Sequence, residues 1–176
     1  FTINIAEADD AEREARRVAM GEPYRSLLGH FRHEVGHYYW DVLVGDGPWL
    51  GGFRQLFGDE TADYADALEH HYAEGPPPDW MHKHISAYAS AHPWEDWAET
   101  WAHYLHVIDA LDTAHNWGLH LNGAAGSPAG ADPGLTDGQP LRQQLVSGWL
   151  PLSRFLNSMS RSLGHKDSYP FVLPDA

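Results

Sequence analysis

The residues His33-Glu34-Val35-Gly36-His37 place two histidines four positions apart, with a glutamate directly after the first one. On an α-helix, residues four apart lie about one turn apart on the same face, so both imidazoles can bind one metal ion. Zinc is the usual ion for this H-E-x-x-H spacing, and the glutamate can reach a water molecule at the metal. The motif predicts His33 and His37 as zinc ligands and Glu34 as a general base. A histidine-rich amphipathic helix is the alternative interpretation.

The composition of the 176-residue chain restricts its ligands and its partners. There is no cysteine, which leaves histidine with aspartate or glutamate as the strong metal ligands. The 25 acidic and 11 basic residues give a formal net charge of -14, which disfavours nucleic acids and anionic membranes as partners. No apolar run approaches the length of a membrane span. We expect a cytoplasmic protein, and the sequence makes no prediction of its oligomeric state.

The elements that must position the motif are predicted to be mostly helical. The predicted helices cover residues 7–20, 24–44, 60–74, 79–88, 93–113 and 140–163, the last with a break near Pro151, and one helical turn is expected within residues 49–57. Residues 1–6 alternate apolar and polar side chains and predict a short strand. Residues 116–139 are predicted to form a loop, and residues 169–174 an extended tail packed on the body. The chain length and the 43% apolar content favour a single domain.

The helix that carries the motif has two neighbouring faces. Its apolar residues recur at steps of three and four and predict a buried stripe; they are Leu28, Phe31, Val35, Tyr38 and Val42. The polar residues beside them form the predicted site face; they are His30, His33, Glu34, His37 and Asp41. We therefore expect the site to lie next to the core.

Catalytic zinc requires three protein ligands and an open position, so another element must complete the site. The predicted helix over residues 93–113 has candidate ligands along one stripe, at steps of four, four and three. They are Glu95, Glu99, His103 and His106. The tryptophans of the same helix follow the opposite side and are predicted to be core residues. A helix of this kind can pack against the motif helix and still direct a carboxylate at its metal.

Four segments of the chain resemble the bacterial family of putative zinc-binding metallopeptidases. They are residues 7–14, 28–40, 92–106 and 168–173, and the two middle ones are long and specific. Longer members of the family carry a zinc ribbon ahead of the peptidase domain. Because the chain has no cysteine, it resembles the peptidase domain without its ribbon, and the start at Phe1 is compatible with a fragment. The resemblance implies a single zincin-like domain over residues 1–176, mainly α with a small β element.

The order Tyr-x6-Glu-x3-Glu is similar to that of the anthrax lethal factor peptidase domain. There the tyrosine assists catalysis, the first glutamate binds zinc and the second supports the site. The resemblance therefore implies that Tyr88 is catalytic, that Glu95 is the third zinc ligand and that Glu99 supports the centre. His92, His103 and Glu99 are the alternatives to Glu95, and an ordinary half-buried tyrosine is the alternative for Tyr88.

The predicted function is that of a zinc-dependent metallopeptidase with one zinc ion per chain and a peptide or protein substrate. Zinc would activate a water molecule, and Glu34 would take its proton and pass it to the leaving amine. Tyr88 would donate a hydrogen bond to the developing oxyanion. A zinc-stabilised binding module without catalysis is the leading alternative, and a metal-dependent hydrolase of a non-peptide amide is another.

Two further carboxylates are predicted to support the ligands. Glu99 lies one turn after Glu95, and Asp41 lies one turn after His37. Each is placed to hold a ligand imidazole through its second ring nitrogen. An exposed helix carboxylate is the alternative for Asp41.

Overall fold

A computed structural model describes residues 5–19, 22–23, 25–121, 140–171 and 173. Most of these residues are helical, and within them no β-strand is formed, so the prediction of a mainly α fold is confirmed. Residues Ile5–Ala8 form a 3-10 helix, which corrects the predicted strand at its last two positions. The rest of that strand lies outside the described residues, and the small β element stays a prediction.

The α-helices are α1 (Asp10–Ala19), α2 (Leu27–Leu43), α3 (Leu50–Phe57), α4 (Tyr64–Glu74), α5 (Pro93–Asn116), α6 (Leu141–Gln144) and α7 (Leu150–Ser162). The prediction of one helix over residues 79–88 is wrong, because two separate 3-10 helices, Trp80–His82 and Tyr88–Ser90, occupy this region. The side chain of Ser86 accepts a hydrogen bond from the backbone N–H three residues later, which starts a new turn instead of continuing the first. The predicted loop lies largely outside the described residues.

Residues at the starts of α2, α4 and α5, the three helices that carry the site, stabilise the first turn of each helix. Ser26 caps α2 and Asp63 caps α4, each by accepting the backbone N–H three residues later at 3.0 Å. Helix α5 begins at Pro93, whose missing N–H costs nothing at a first helical position. The preceding His92 accepts the next free backbone N–H through Nδ1 at 3.1 Å.

The predicted buried stripe of α2 is wrong. Its members Leu28, Phe31, Tyr38 and Val42 are between 43% and 58% exposed, and Val35 is half-buried. The buried residue of the helix is Gly36, where a Cβ would lie 3.1 Å from the Cα of Ala98 and 3.1 Å from the Cβ of Trp101. Helix α5 thus packs against the side of α2 that carries Gly36, and the predicted apolar stripe of α2 does not face the interior.

The described residues group into two compact units, and the prediction of one domain stays a prediction. The first unit is Phe1–His103 with Phe171–Ala176, and its core is aromatic. Phe53 is 4% exposed and its ring lies 5.6 Å from that of Trp40 and 5.0 Å from that of Phe57. This unit contains α1 to α4 and the first half of α5, and therefore every predicted site residue except the candidate ligand His106.

The second unit is Tyr104–Pro170, with a core that includes Leu111 and Trp149. A π-helical turn over Leu145–Trp149 precedes α7. It interrupts the regular α-helix close to the predicted break near Pro151. The tail packs on this unit as far as Tyr169, whose backbone exchanges two hydrogen bonds with the amide of Asn157. Across the described residues, no helix is long and apolar enough to span a bilayer.

Candidate metal centre

Helix α2 presents His33 and His37 to a common point. Their spacing of four residues places one ring above the other, and their Nε2 atoms are 3.1 Å apart. The two rings are nearly perpendicular, with centroids separated by 4.8 Å. Two of the three predicted zinc-binding atoms, the Nε2 atoms of His33 and His37, thus come together on one face of α2.

Helix α5 supplies the third atom through Glu95, which is only 1% exposed. Its Oε2 lies 3.0 Å from Nε2 of His33 and 3.6 Å from Nε2 of His37. Within the described part of the chain, this oxygen is buried without a well-aligned hydrogen bond, although both imidazoles are close. The three atoms lie within 3.6 Å of one another, close enough to be ligands of one ion.

The spacing of these three atoms fits a zinc ion. Four ligands at the usual zinc distances of about 2.0–2.2 Å in a tetrahedron lie about 3.3–3.6 Å from one another. The observed separations of 3.0, 3.1 and 3.6 Å are close to that range. Two imidazoles and a carboxylate are also ligands that zinc prefers when no thiolate is present. Among the described residues, this is the only group of three such side chains that could hold a metal.

The close approach of α2 and α5 at Gly36 brings the ligands within reach of one another. A larger residue would meet backbone atoms of α5 at Ala98, which cannot swing aside as a side chain can. The indole N–H of Trp97 donates a hydrogen bond of 2.9 Å to the carbonyl oxygen of Gly36. The two helices are therefore held together at Gly36, which lies between the predicted ligands His33 and His37 of α2.

Glu99 holds the second nitrogen of His33, one turn of α5 after Glu95. Its Oε1 lies 2.8 Å from Nδ1 of His33, and its Oε2 accepts a 2.7 Å hydrogen bond from Ser86. A proton on Nδ1 leaves the lone pair of Nε2 free for a metal. Ser86 was not predicted from the sequence, because nothing in its neighbourhood marks it as part of a site.

The charges of His33, Glu95 and Glu99 stabilise one another. Burial alone would lower the pKa of His33, but Glu95 and Glu99 outweigh it and raise that pKa to about 10. Burial would likewise raise the pKa of Glu95, but the contacts with His33 and His37 hold it well below its ordinary value. The carboxylate of Glu95 is therefore held in the charged form that binds a cation.

A tyrosine that the sequence did not point to completes the surroundings of Glu95. Tyr64, at the start of α4, donates its phenolic O–H to Oε1 of Glu95 at 2.6 Å. Burial and the Glu95 carboxylate raise the pKa of Tyr64, which keeps its proton in place. Tyr64 and Glu95 are separated by 31 positions in the sequence and lie on different helices, so only the tertiary fold reveals this contact.

The centre opens into a cavity of about 380 Å³. It is lined by His33, Glu34, His37, Tyr38, Asp41, Tyr64, Tyr88, Trp94 and Glu95. Glu34 is the predicted general base, and its Oε1 lies 3.3 Å from Nε2 of His30. The other nitrogen of His30 lies 3.1 Å from Glu7, so His30 connects the two carboxylates.

Tyr88 lines the cavity, with its ring centroid 6.1 Å from that of His33. Burial, followed by the nearby charge of Glu95, raises the pKa of its phenol. The side chain therefore stays protonated and can donate a hydrogen bond. The structure places Tyr88 at the cavity next to His33, and its catalytic role stays a prediction.

Asp41 differs from its predicted role. It lines the cavity, but Nδ1 of His37 is buried and has no hydrogen-bond partner within the described part of the chain. The predicted hydrogen bond between Asp41 and His37 is thus not formed. A one-turn step on a helix brings the Cβ atoms close together but does not by itself fix the direction of the side chains.

The remaining histidines are not part of the three-residue group. His92 is buried, with Nδ1 accepting the N–H of Trp94 and Nε2 3.2 Å from the carbonyl oxygen of Ala62. Both of its nitrogens thus serve the backbone, which argues against His92 as the third ligand. His103 packs against Phe171 with ring centroids 4.4 Å apart.

The described residues thus define a mainly helical protein with a candidate metal centre of two histidines and a glutamate. The chain belongs to the family described as "Putative zinc-binding metallo-peptidase", whose family model matches residues 1–176. This confirms the resemblance noted in the sequence.

Mycobacterial relatives are similar over the whole chain. The chain is 51% identical over 180 residues to the uncharacterized protein Rv2568c of Mycobacterium tuberculosis and to the uncharacterized protein Mb2598c of Mycobacterium bovis. The alignments cover 100% of this chain and 50% of each relative. The chain therefore spans about half the length of these relatives. No solved structure matches the chain.

Proposed function

We propose that this chain is a zinc-dependent peptidase domain that hydrolyses peptide bonds, with His33, His37 and Glu95 as the zinc ligands. The observation that carries the proposal is the convergence of two Nε2 atoms and one Oε2 atom at 3.0–3.6 Å in an open cavity. Membership of a family described as zinc-binding supports the choice of metal.

A bound zinc ion would polarise the scissile carbonyl and lower the pKa of water. Glu34 takes the proton of the attacking water and delivers it to the leaving amine. His30, 3.3 Å from Oε1 of Glu34, orients that carboxylate. Tyr88 donates its phenolic proton in a hydrogen bond to the oxyanion, a role supported by its raised pKa.

The open cavity favours catalysis over a purely structural role. Structural zinc sites generally use four protein ligands and leave no position open, whereas the group here has three among the described residues. A carboxylate such as Glu34, which lines the cavity outside that group, has no role in a closed site. A hydrolase of a non-peptide amide would use the same residues, and a peptide library therefore forms part of the test.

The decisive variant is Glu34→Gln, which removes the base and keeps the size of the side chain. We expect it to retain about one zinc per chain, measured by metal analysis, and to lose cleavage of a degenerate peptide library. The loss is expected to be 100-fold or more, on the order of the contribution of general acid–base catalysis. Glu69→Gln, at an exposed position on α4, is the matched control and should cleave as the wild type does.

Three outcomes would contradict the proposal. Equal cleavage by the wild type and Glu34→Gln would remove Glu34 as the base. Zinc in both proteins without cleavage in either would favour the binding module or the non-peptide hydrolase. A wild-type protein that binds no zinc would overturn the metal centre itself.

A further inference from the structure

The two oxygens of Glu95 have different partners, although the carboxylate itself is symmetric. Oε1 accepts the O–H of Tyr64 at 2.6 Å, a short distance typical of a hydrogen bond to a charged acceptor. Oε2 lies toward the Nε2 atoms of His33 and His37 at 3.0 and 3.6 Å. The phenol thus occupies one oxygen and leaves the other free for a metal.

The position of Tyr64 is fixed by the fold and not by Glu95 alone. It is the first residue of α4, directly after the capping Asp63. Its ring lies 5.3 Å from the ring of His92 and 5.7 Å from that of Trp94, nearly perpendicular to both. These ring contacts hold the phenol in place in addition to its hydrogen bond with Glu95.

We propose that Tyr64 is a positioning residue that makes Glu95 a one-oxygen metal ligand and so preserves an open coordination position for water and substrate. The proposal rests on the metal centre of the proposed function. A carboxylate that binds zinc through both oxygens fills two positions around the ion, whereas a catalytic zinc needs one of them for water. By holding Oε1, Tyr64 opposes that second bond.

The other cavity tyrosines do not make this contact. Tyr38 and Tyr88 line the same cavity, but in the described part of the chain no hydrogen bond joins either of them to Glu95. Tyr38→Phe is therefore a matched control that removes a phenolic oxygen from the same cavity. It tests whether any loss of polarity in the cavity affects the metal.

The test is the variant Tyr64→Phe, which removes the hydroxyl and keeps the ring that packs on His92 and Trp94. We would measure zinc affinity by competition with a chromophoric chelator, and the visible absorption spectrum of the cobalt-substituted protein. We expect zinc affinity to fall by about 10- to 100-fold, the usual effect of removing a hydrogen-bond partner of a ligand. The visible absorption bands of the cobalt-substituted protein should lose intensity, as they do when the coordination number of cobalt rises above four.

The outcomes separate this proposal from the proposed function. Wild-type affinity and an unchanged cobalt spectrum in Tyr64→Phe would overturn the role of Tyr64 and leave the zinc centre standing. An equal loss in Tyr38→Phe would also overturn it, because the effect would not depend on Glu95. A thermal melting curve of metal-free Tyr64→Phe like that of the wild type would show that the loss reflects the metal site and not the fold.

Discussion

Glu95 and Glu99 approach opposite nitrogens of the same imidazole. Glu95 lies 3.0 Å from Nε2 of His33, on the side where the three candidate ligand atoms meet. Glu99 lies 2.8 Å from Nδ1, on the side turned away from that point. Spacing along α5 does not distinguish the two glutamates, which are one turn apart. In the structure they differ in the nitrogen of His33 that each one approaches.

Replacing the two glutamates should have unequal effects on the metal. Glu95→Ala removes a proposed ligand and is expected to abolish stoichiometric zinc binding. Glu99→Ala removes the hydrogen bonds to Nδ1 of His33 and to Ser86 but no proposed ligand, and it should weaken zinc binding by about 10- to 100-fold. Metal analysis and chelator competition measure both. The reverse order would assign the third ligand to Glu99.

Residue spacing revealed half of the site and concealed the rest. His33, His37, Glu95 and Glu99 repeat at helical steps, so their meeting could be predicted from two helices alone. Tyr64 and Ser86 act across separate elements, and no local pattern links them to a carboxylate on α5. Asp41 has the right helical step, yet no hydrogen bond joins it to His37, because spacing does not report side-chain reach.

At the scale of the elements, the pairing of α2 with α5 depends on Gly36. The sequence predicted that the apolar stripe of α2 would be buried, because a wide apolar face usually packs on the core. The structure instead buries the glycine, where two backbones can approach closely. A glycine inside a helix is an uncertain signal in a sequence, so the apolar pattern alone predicts the wrong buried side of α2.

Gly36→Ala should destabilise the protein and weaken metal binding together. The added Cβ would lie 3.1 Å from the Cα of Ala98, and overpacking of this kind costs about 1–3 kcal/mol. Gly52→Ala, on α3 in open space, is the matched control and should stabilise the protein by about 0.5–1 kcal/mol. Chemical denaturation and chelator competition measure both effects. A stabilising Gly36→Ala would show that the helices are not in close contact.

The 3-10 helix Ile5–Ala8 is joined to the start of α2 through Glu7, which is 2% exposed. Glu7 accepts a 2.6 Å hydrogen bond from Arg25 and lies 3.1 Å from Nδ1 of His30. Burial would raise its pKa, but Arg25 and His30 hold it below the ordinary value of 4.5. The folded protein thus favours the charged form of Glu7.

Glu7→Gln should destabilise the metal-free protein in a pH-dependent way. A carboxyl group with a lowered pKa stabilises the fold above its ordinary pKa, and this contribution is lost as the pH falls through the folded value. We expect a difference of about 1–3 kcal/mol from the wild type at neutral pH, shrinking below pH 4.5. Denaturation with a chelator present measures it, with exposed Glu12→Gln as the control. A difference independent of pH would contradict this origin.

At the scale of the whole molecule, the dominant property is its negative charge. The formal net charge of -14 means that the protein attracts cationic molecules over distances of about one Debye length. Glu34 and Asp41 extend this charge into the cavity. A peptide substrate with positive charges would therefore be attracted before it reaches the proposed zinc centre.

Cleavage should favour cationic peptides at low salt. For peptides that differ only in flanking Lys or Glu residues, we expect kcat/KM to be about tenfold or more higher with Lys at about 0.01 M ionic strength. The difference should shrink toward 1 M salt, where screening acts within about 3 Å, and kcat should change little. A Ser-flanked peptide is the neutral control. A preference that persists in high salt would indicate direct contacts instead of long-range attraction.

The contact at Gly36 also limits how this centre can be transferred to a designed scaffold. Two helices that meet through ordinary side chains have axes about 8–10 Å apart, and the residues at the contact set that distance. A graft that copies His33, His37 and Glu95 onto such a pair would hold the right side chains at the wrong separation. The glycine is therefore part of the minimal transferable unit, although it has no atom that can bind a metal.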